Sequence, residues 1–188
     1  MLAGLLILIL KAVGSFVTSL LLVRALMRWQ RLSFINPLGH FILATTDWAV
    51  RPAQKVFGSQ GGFDLSCIVP AWLVECLVVG VVLLFAWPYA NPLDLLGNTL
   101  LTGSIGLLMS LVRLVMVVVI VAAVLSWVNP RAPIAPLVNG LARPFLLPLQ
   151  RRMPPVGGVD LSPLVLLLVL QVIAYLLMAV APASIALM

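Results

Sequence analysis

Three ionisable residues stand deep inside long apolar runs of the sequence, where a charge is costly: Lys11, Glu75 and Arg113; Arg24 also lies within the first run, close to the loop that follows it. With a span opening near residue 65 and a rise of about 1.5 Å per residue, Glu75 lies about 16 Å deep. That is close to the midplane of a hydrocarbon layer about 30 Å thick. Arg113 precedes Trp127 by 14 residues and Lys11 precedes Trp29 by 18. Arg113 therefore matches Glu75 in depth, and Lys11 lies nearer the outer face, within snorkelling reach of it. An isolated charge at mid-depth costs roughly 3 kcal/mol or more, so such residues face a bundle interior and find partners. Glu75 is expected to pair with Arg113, with Lys11 as a further partner. The alternative use of the same residues is a path for protons or ions.

Other chemistry is sparse. His40 is the single histidine, and no acid or cysteine lies near it in sequence. Cys67 and Cys76 are nine residues apart on one expected helix, where they point roughly opposite ways and cannot pair with each other. There is no phosphate-binding loop of the Walker type, no Gly-rich dinucleotide turn and no Cys-x-x-Cys spacing. The expectation is a protein that is not an enzyme and carries no metal or other cofactor.

The elements that position these residues follow from composition. Of 188 residues, 63% are hydrophobic and 9% charged, whereas a soluble domain is about half apolar and a quarter charged. That apolar surface cannot be hidden in one small core, so its solvent is lipid. The net charge of +6 comes from residues spread thinly at the ends of apolar runs, a pattern that suits membrane orientation and anionic lipid better than nucleic acid.

Four runs reach the roughly 20 residues a span needs: 2–28, 65–87, 99–128 and 161–181. No basic stretch precedes the first run, so it is expected as a retained helix and not a signal peptide. Between the first two spans lie Arg28, Arg31, Arg51 and Lys55; between the last two lie Arg131, Arg143, Arg151 and Arg152. The stretch 88–98 holds no Lys or Arg. Positive-inside bias then places both long loops in the cytoplasm and both termini on the periplasmic side of a bacterial inner membrane. In the loops, Pro37, Leu38, Phe41 and Ile42, and again Pro133, Ile134, Leu137 and Val138, follow helical spacing. These read as short amphipathic segments in the headgroup layer, with Arg51, Lys55, Arg143, Arg151 and Arg152 set to meet anionic headgroups or a protein partner. Pro52, Pro144 and Pro148 are expected to interrupt them.

The chain repeats itself at an offset of 96 residues. Pro37 meets Pro133, Pro52 meets Pro148, Gln54 meets Gln150 and Lys55 meets Arg151. Gly61-Gly62-Phe63-Asp64-Leu65-Ser66 meets Gly157-Gly158-Val159-Asp160-Leu161-Ser162. Trp29 matches Trp127 after a two-residue adjustment, and Glu75 falls on Gln171. Each copy holds two spans, so both enter the membrane from one side and are parallel repeats about an axis along the membrane normal. Asp64 and Asp160 are placed to cap the backbone N–H groups that open the second and fourth spans.

These residues resemble the YggT family of bacterial inner-membrane proteins and its YlmG relatives. The likeness rests on Ala142-Arg143-Pro144, on Leu147 through Pro155, on Gly157 through Pro163, and on Leu125-Ser126-Trp127. The first repeat departs from the pattern at Trp48 and at Gly58-Ser59. The resemblance implies an integral membrane protein with no established enzymatic activity, in a family linked to osmotic or ion homeostasis, with relatives linked to division-site and nucleoid organisation and to assembly of a membrane cytochrome.

The expected architecture is therefore an all-α membrane protein of four transmembrane helices in two tandem repeats, 1–90 and 91–188, each with a cytoplasmic amphipathic segment. The expected role is a non-enzymatic scaffold or assembly factor in osmotic response or envelope organisation, with lipids, other proteins and further copies of itself as partners and no nucleic acid. The alternative is a small ion channel or transporter.

Overall fold

The computed structural model describes residues 2–58, 64–86, 91–152 and 160–180. Six helices follow in order: α1 (Leu2–Trp29), α2 (Pro37–Phe57), α3 (Leu65–Ala86), α4 (Pro92–Val128), α5 (Ala135–Gln150) and α6 (Ser162–Val180). No strand occurs among the described residues. α1, α3, α4 and α6 are long and apolar enough to cross a membrane, so the chain is an all-helical, multi-pass membrane protein. The Gly-Gly turns before Asp64 and Asp160, Trp87 and the tail after Val180 lie outside the described residues.

α2 begins where its sequence dictates. The side chain of Asn36 accepts a hydrogen bond from the N–H of Gly39 at 2.6 Å, and Pro37 occupies the first helical position, where its missing donor costs nothing. The prolines expected to interrupt the loop helices do not do so. Pro52 lies within α2, and Pro144 and Pro148 lie within α5. Each removes one intrahelical bond. Pro52 is exposed, so the carbonyl it frees on Trp48 can be hydrated. α4 also differs from expectation. Its first turns, Pro92 to Asn98, precede the expected span of 99–128, yet they are helical. Pro92 at the first position, with Asp94 in the first turn bonded to Asn91 Nδ2 at 3.3 Å, is an ordinary helix start.

α3 packs antiparallel between α1 and α4, and α6 packs on α4. α2 lies against α1 and α3; α5 lies against α4 and α6. Leu21, Leu22, Val50, Cys67 and Ala71 make the dry core of the first unit. Val112, Val115, Val119, Val138, Leu166 and Leu170 belong to that of the second. A third cluster, Leu26, Met27, Ile42 and Leu141, joins the two units on the side that carries α2 and α5, here termed the loop side. There Asn36, Pro37 and Leu38 share an apolar groove with Pro133, Ile134 and Leu137. Pro37 and Leu38 thus face the residues they match in the repeat.

Candidate functional site

Two polar regions interrupt the apolar packing. The first is a cavity of about 380 Å³ among the spans. Its lining includes Lys11 and Ser15 from α1, Glu75 from α3, and Ser110 and Arg113 from α4. The three intramembrane charges singled out from the sequence thus converge on one space. Glu75 is buried, 8% exposed. Its Oε1 accepts a hydrogen bond from Ser110 Oγ at 2.8 Å, and its Oε2 lies over Gly106, where an added Cβ would stand 3.5 Å away. The direct ion pair expected between Glu75 and Arg113 is not formed among the described residues. Arg113 is exposed and sits three residues beyond Ser110, about 4.5 Å further along α4, so the hydroxyl reaches the carboxylate first.

Beside the cavity, α3 and α4 approach closely. Gly103 has no side chain where a Cβ would meet Cys76 Sγ at 2.6 Å and Cys76 Cα at 3.1 Å. Thr99, Gly103, Gly106 and Ser110 recur at spacings of three and four and set small groups along one face of α4. Trp72 Nε1 donates to Ser104 Oγ at 3.0 Å beside this seam. Toward the loop side the cavity gives way to the dry core of Leu21, Leu22, Cys67 and Ala71. Cys67 and Cys76 are both free thiols.

The second region is a buried ion network at the loop side, and its centre, Asp47, was not singled out from the sequence. Arg24 Nη1 donates to Asp47 Oδ1 and to Thr46 Oγ1, each at 2.8 Å. Arg51 Nη2 donates to Asp47 Oδ2 at 2.7 Å, one turn along α2. Arg24 is 6% exposed, Asp47 27% and Arg51 75%. Burial by itself raises the Asp47 pKa, but the hydrogen bond and charge of Arg24, then those of Arg51, outweigh it and hold the carboxyl below its ordinary range. A second pair, Arg28 with Asp64, ties α1 to the start of α3. Asp64 Oδ1 also accepts from the N–H of Ser66 at 3.2 Å.

The two aspartates of the repeat thus share a cap and differ in partner. Asp160 Oδ1 accepts from the N–H of Ser162 at 2.9 Å, and its Oδ2 accepts from Gln150 Nε2 at 2.7 Å. Burial raises its pKa, and the bonds from Ser162 and Gln150 more than reverse that, so it too lies below the ordinary range. At the offset of 96, Asp47 falls on Arg143, and no arginine matches Arg24 or Arg28. The network therefore belongs to the first unit alone.

The surfaces of α2 and α5 differ as well. α2 exposes Phe41, Trp48 and Val56 on one face, with Arg51 and Lys55 also exposed. α5 exposes Asn139, Arg143 and Gln150 and buries Val138, Leu141 and Leu146. Arg151 and Arg152 follow it, both exposed. His40 is exposed on α2. No group of three or more potential metal ligands occurs among the described residues.

The CCB3/YggT family model matches the chain twice, at residues 3–85 and 101–181. The uncharacterized protein YggT of Escherichia coli (strain K12) is 32% identical over 166 residues, which cover 88% of this chain and 85% of that protein. An uncharacterized protein of Pseudomonas aeruginosa is 31% identical, over 88% of this chain and 84% of its own. A third, from Vibrio alginolyticus, is 30% identical over 83% and 84%. No solved structure matches.

Proposed function

The chain belongs to the CCB3/YggT family, and on that premise we propose that it is a non-catalytic scaffold or assembly factor of the bacterial inner membrane. Its loop side faces the cytoplasm and its termini face the periplasm. Each of the two matched units supplies two spans and one surface helix. Envelope organisation or the osmotic response is the setting in which such a scaffold acts.

The observation that carries this reading is the anchoring of α2. Asp47 bridges Arg24, buried in α1, to Arg51, exposed on α2. The bridge adds a polar tie to a helix whose Ile42 and Val50 already pack into the bundle. Trp48, 66% exposed, and Phe41, 50% exposed, are held outward on it. Aromatic rings favour the membrane–water boundary, and each basic residue beside an anionic surface contributes about 1 kcal/mol. The α5 surface, polar and followed by Arg151 and Arg152, is the part left for a protein partner.

The test uses the full chain in lipid vesicles, with Trp48 as the one remaining tryptophan. Brominated anionic lipid quenches Trp48 fluorescence in the expected outcome, and aqueous iodide does not. Quenching by iodide alone overturns the interfacial placement of α2. The same vesicles are assayed for ion flux. Flux that scales with protein and disappears in Glu75→Gln overturns the scaffold reading in favour of a channel.

A further inference from the structure

The seam between α3 and α4 has a counterpart in the repeat, and the counterpart is open. Matching Trp29 to Trp127 places Leu5 where α4 has Gly103 and Leu8 where it has Gly106. On the partner helix, the offset of 96 places Val172 where α3 has Cys76 and Leu176 where it has Gly80. Small groups that let α3 and α4 close are replaced by branched ones on α1 and α6. All four of these residues are exposed. α6 packs on α4 and α5 and makes no extensive contact with α1. Gln171, the counterpart of buried Glu75, is likewise exposed.

This unequal pairing leaves a side opening into the polar cavity. Lys11, Ala12 and Ser15 line it from α1, and Met178 lines it from α6. Val78, Ile105 and Met109 make apolar walls, and Glu75, Ser110 and Arg113 make a polar floor. Among the described residues of the lining, Lys11 and Arg113 are cationic and Glu75 is acidic. Arg113 is exposed toward this space and forms no ion pair with Glu75. A guanidinium in apolar surroundings favours phosphate, which it can hold through two parallel hydrogen bonds. The volume of about 380 Å³ is at the small end for ligand sites. It holds a head group, and the chains attached to that head must leave between α1 and α6.

We infer that this cavity seats the phosphate head of an anionic membrane amphiphile, which enters sideways from the bilayer between α1 and α6. Arg113 holds the phosphate. Glu75, kept in place by Ser110, excludes a second negative charge and selects a head with a donor to spare. The site is separate from the basic surface of α2, which lies on the loop side beyond the dry core.

The test is native mass spectrometry of the full chain in mild detergent, with phosphatidylglycerol, singly charged and bearing free hydroxyls, as the probe and phosphatidylcholine as the neutral reference. Phosphatidylglycerol is retained at least tenfold more than phosphatidylcholine in the expected outcome. Arg113→Gln lowers that retention about tenfold. Met178→Trp, at the exposed rim, lowers it as well and keeps the test open if Arg113→Gln fails to fold. Arg51→Gln with Lys55→Gln leaves retention unchanged, which separates this site from lipid binding on α2. Equal retention of both lipids, or retention unaffected by Arg113→Gln and Met178→Trp, overturns the inference. Displacement of the lipid by millimolar inorganic phosphate also overturns it, by showing a site for free anions.

Discussion

Arg24 on α1 and Asp47 on α2, 23 residues apart in the chain, meet at 2.8 Å through Nη1 and Oδ1. The guanidinium is almost wholly buried, and the carboxylate is shared with the exposed Arg51. A loop helix is thereby fixed to a membrane span by one acidic side chain.

Removing that side chain has unequal consequences for its two partners. Asp47→Asn leaves Arg24 buried with a weakened partner. A broken buried pair costs about 3–5 kcal/mol, and the partial exposure of Asp47 reduces this to roughly 2 kcal/mol. Arg51→Gln removes only an exposed arm and costs about 0–1 kcal/mol. Thermal unfolding in detergent is expected to separate the two variants clearly. Equal shifts would mean that Arg24 is solvated in some other way.

Acid is expected to release the same contact. Asp47 and Asp160 both have folded pKa values below the ordinary 3.8. A depressed carboxylate contributes stability that is fully present above its unfolded pKa, and that stability is lost as pH falls through the folded value. Stability should therefore be insensitive to these two groups above about pH 5 and fall progressively below about pH 4. In the double variant Asp47→Asn, Asp160→Asn the slope in that acid window should flatten. An unchanged slope would assign the acid sensitivity elsewhere.

The α3–α4 seam predicts opposite outcomes for two glycines of one helix. At Gly103 an added Cβ meets Cys76 Sγ at 2.6 Å and the Cys76 backbone N at 3.3 Å. Gly103→Ala is expected to cost about 1–3 kcal/mol through overpacking. At Gly97 nothing lies within 4 Å, and Gly97→Ala is expected to be neutral or to stabilise by up to about 1 kcal/mol. Melting temperatures of the two variants in one detergent decide this. A tolerated Gly103→Ala would show that α3 and α4 can separate freely.

Glu75→Gln preserves an acceptor for Ser110, so its stability should change by less than about 1 kcal/mol. Ser110→Val removes the donor and leaves a buried carboxylate short of one bond, at a cost of about 1–3 kcal/mol. Adding Arg113→Gln to Glu75→Gln should bring no rescue, because no ion pair joins the two residues. Rescue by the second substitution would restore the pairing expected from depth alone.

The legible parts of the fold were those written in local pattern. Apolar length gave the four spans, and helical spacing gave the surface helices that became α2 and α5. Depth counting matched Glu75 with Arg113 and set Lys11 nearer the outer face; all three line one cavity. Depth counting did not reveal that Ser110 would reach Glu75 first, because that depends on how α3 and α4 face each other. Asp47 was missed for a related reason. Its spacing of four from Arg51 was visible, but its contact with Arg24 depends on how α2 lies across α1, which no local pattern records. The prolines of α2 and α5 misled because a helix can lose single bonds and continue where neighbours or water satisfy the freed carbonyl.

α4 carries one more consequence. Its 37 residues make a rod about 55 Å long, against hydrocarbon about 30 Å thick. Even at a steep tilt of about 40° the layer accommodates only about 26 of those residues. The remainder must stand clear of the hydrocarbon, and Leu93 and Val128, at opposite ends, are both strongly exposed. The length of such a rod does not fix its inclination; what it packs against does. α4 touches α1, α3, α5 and α6, and Gly103 holds it tightly to Cys76. α4 therefore cannot change its tilt without carrying its four neighbours with it.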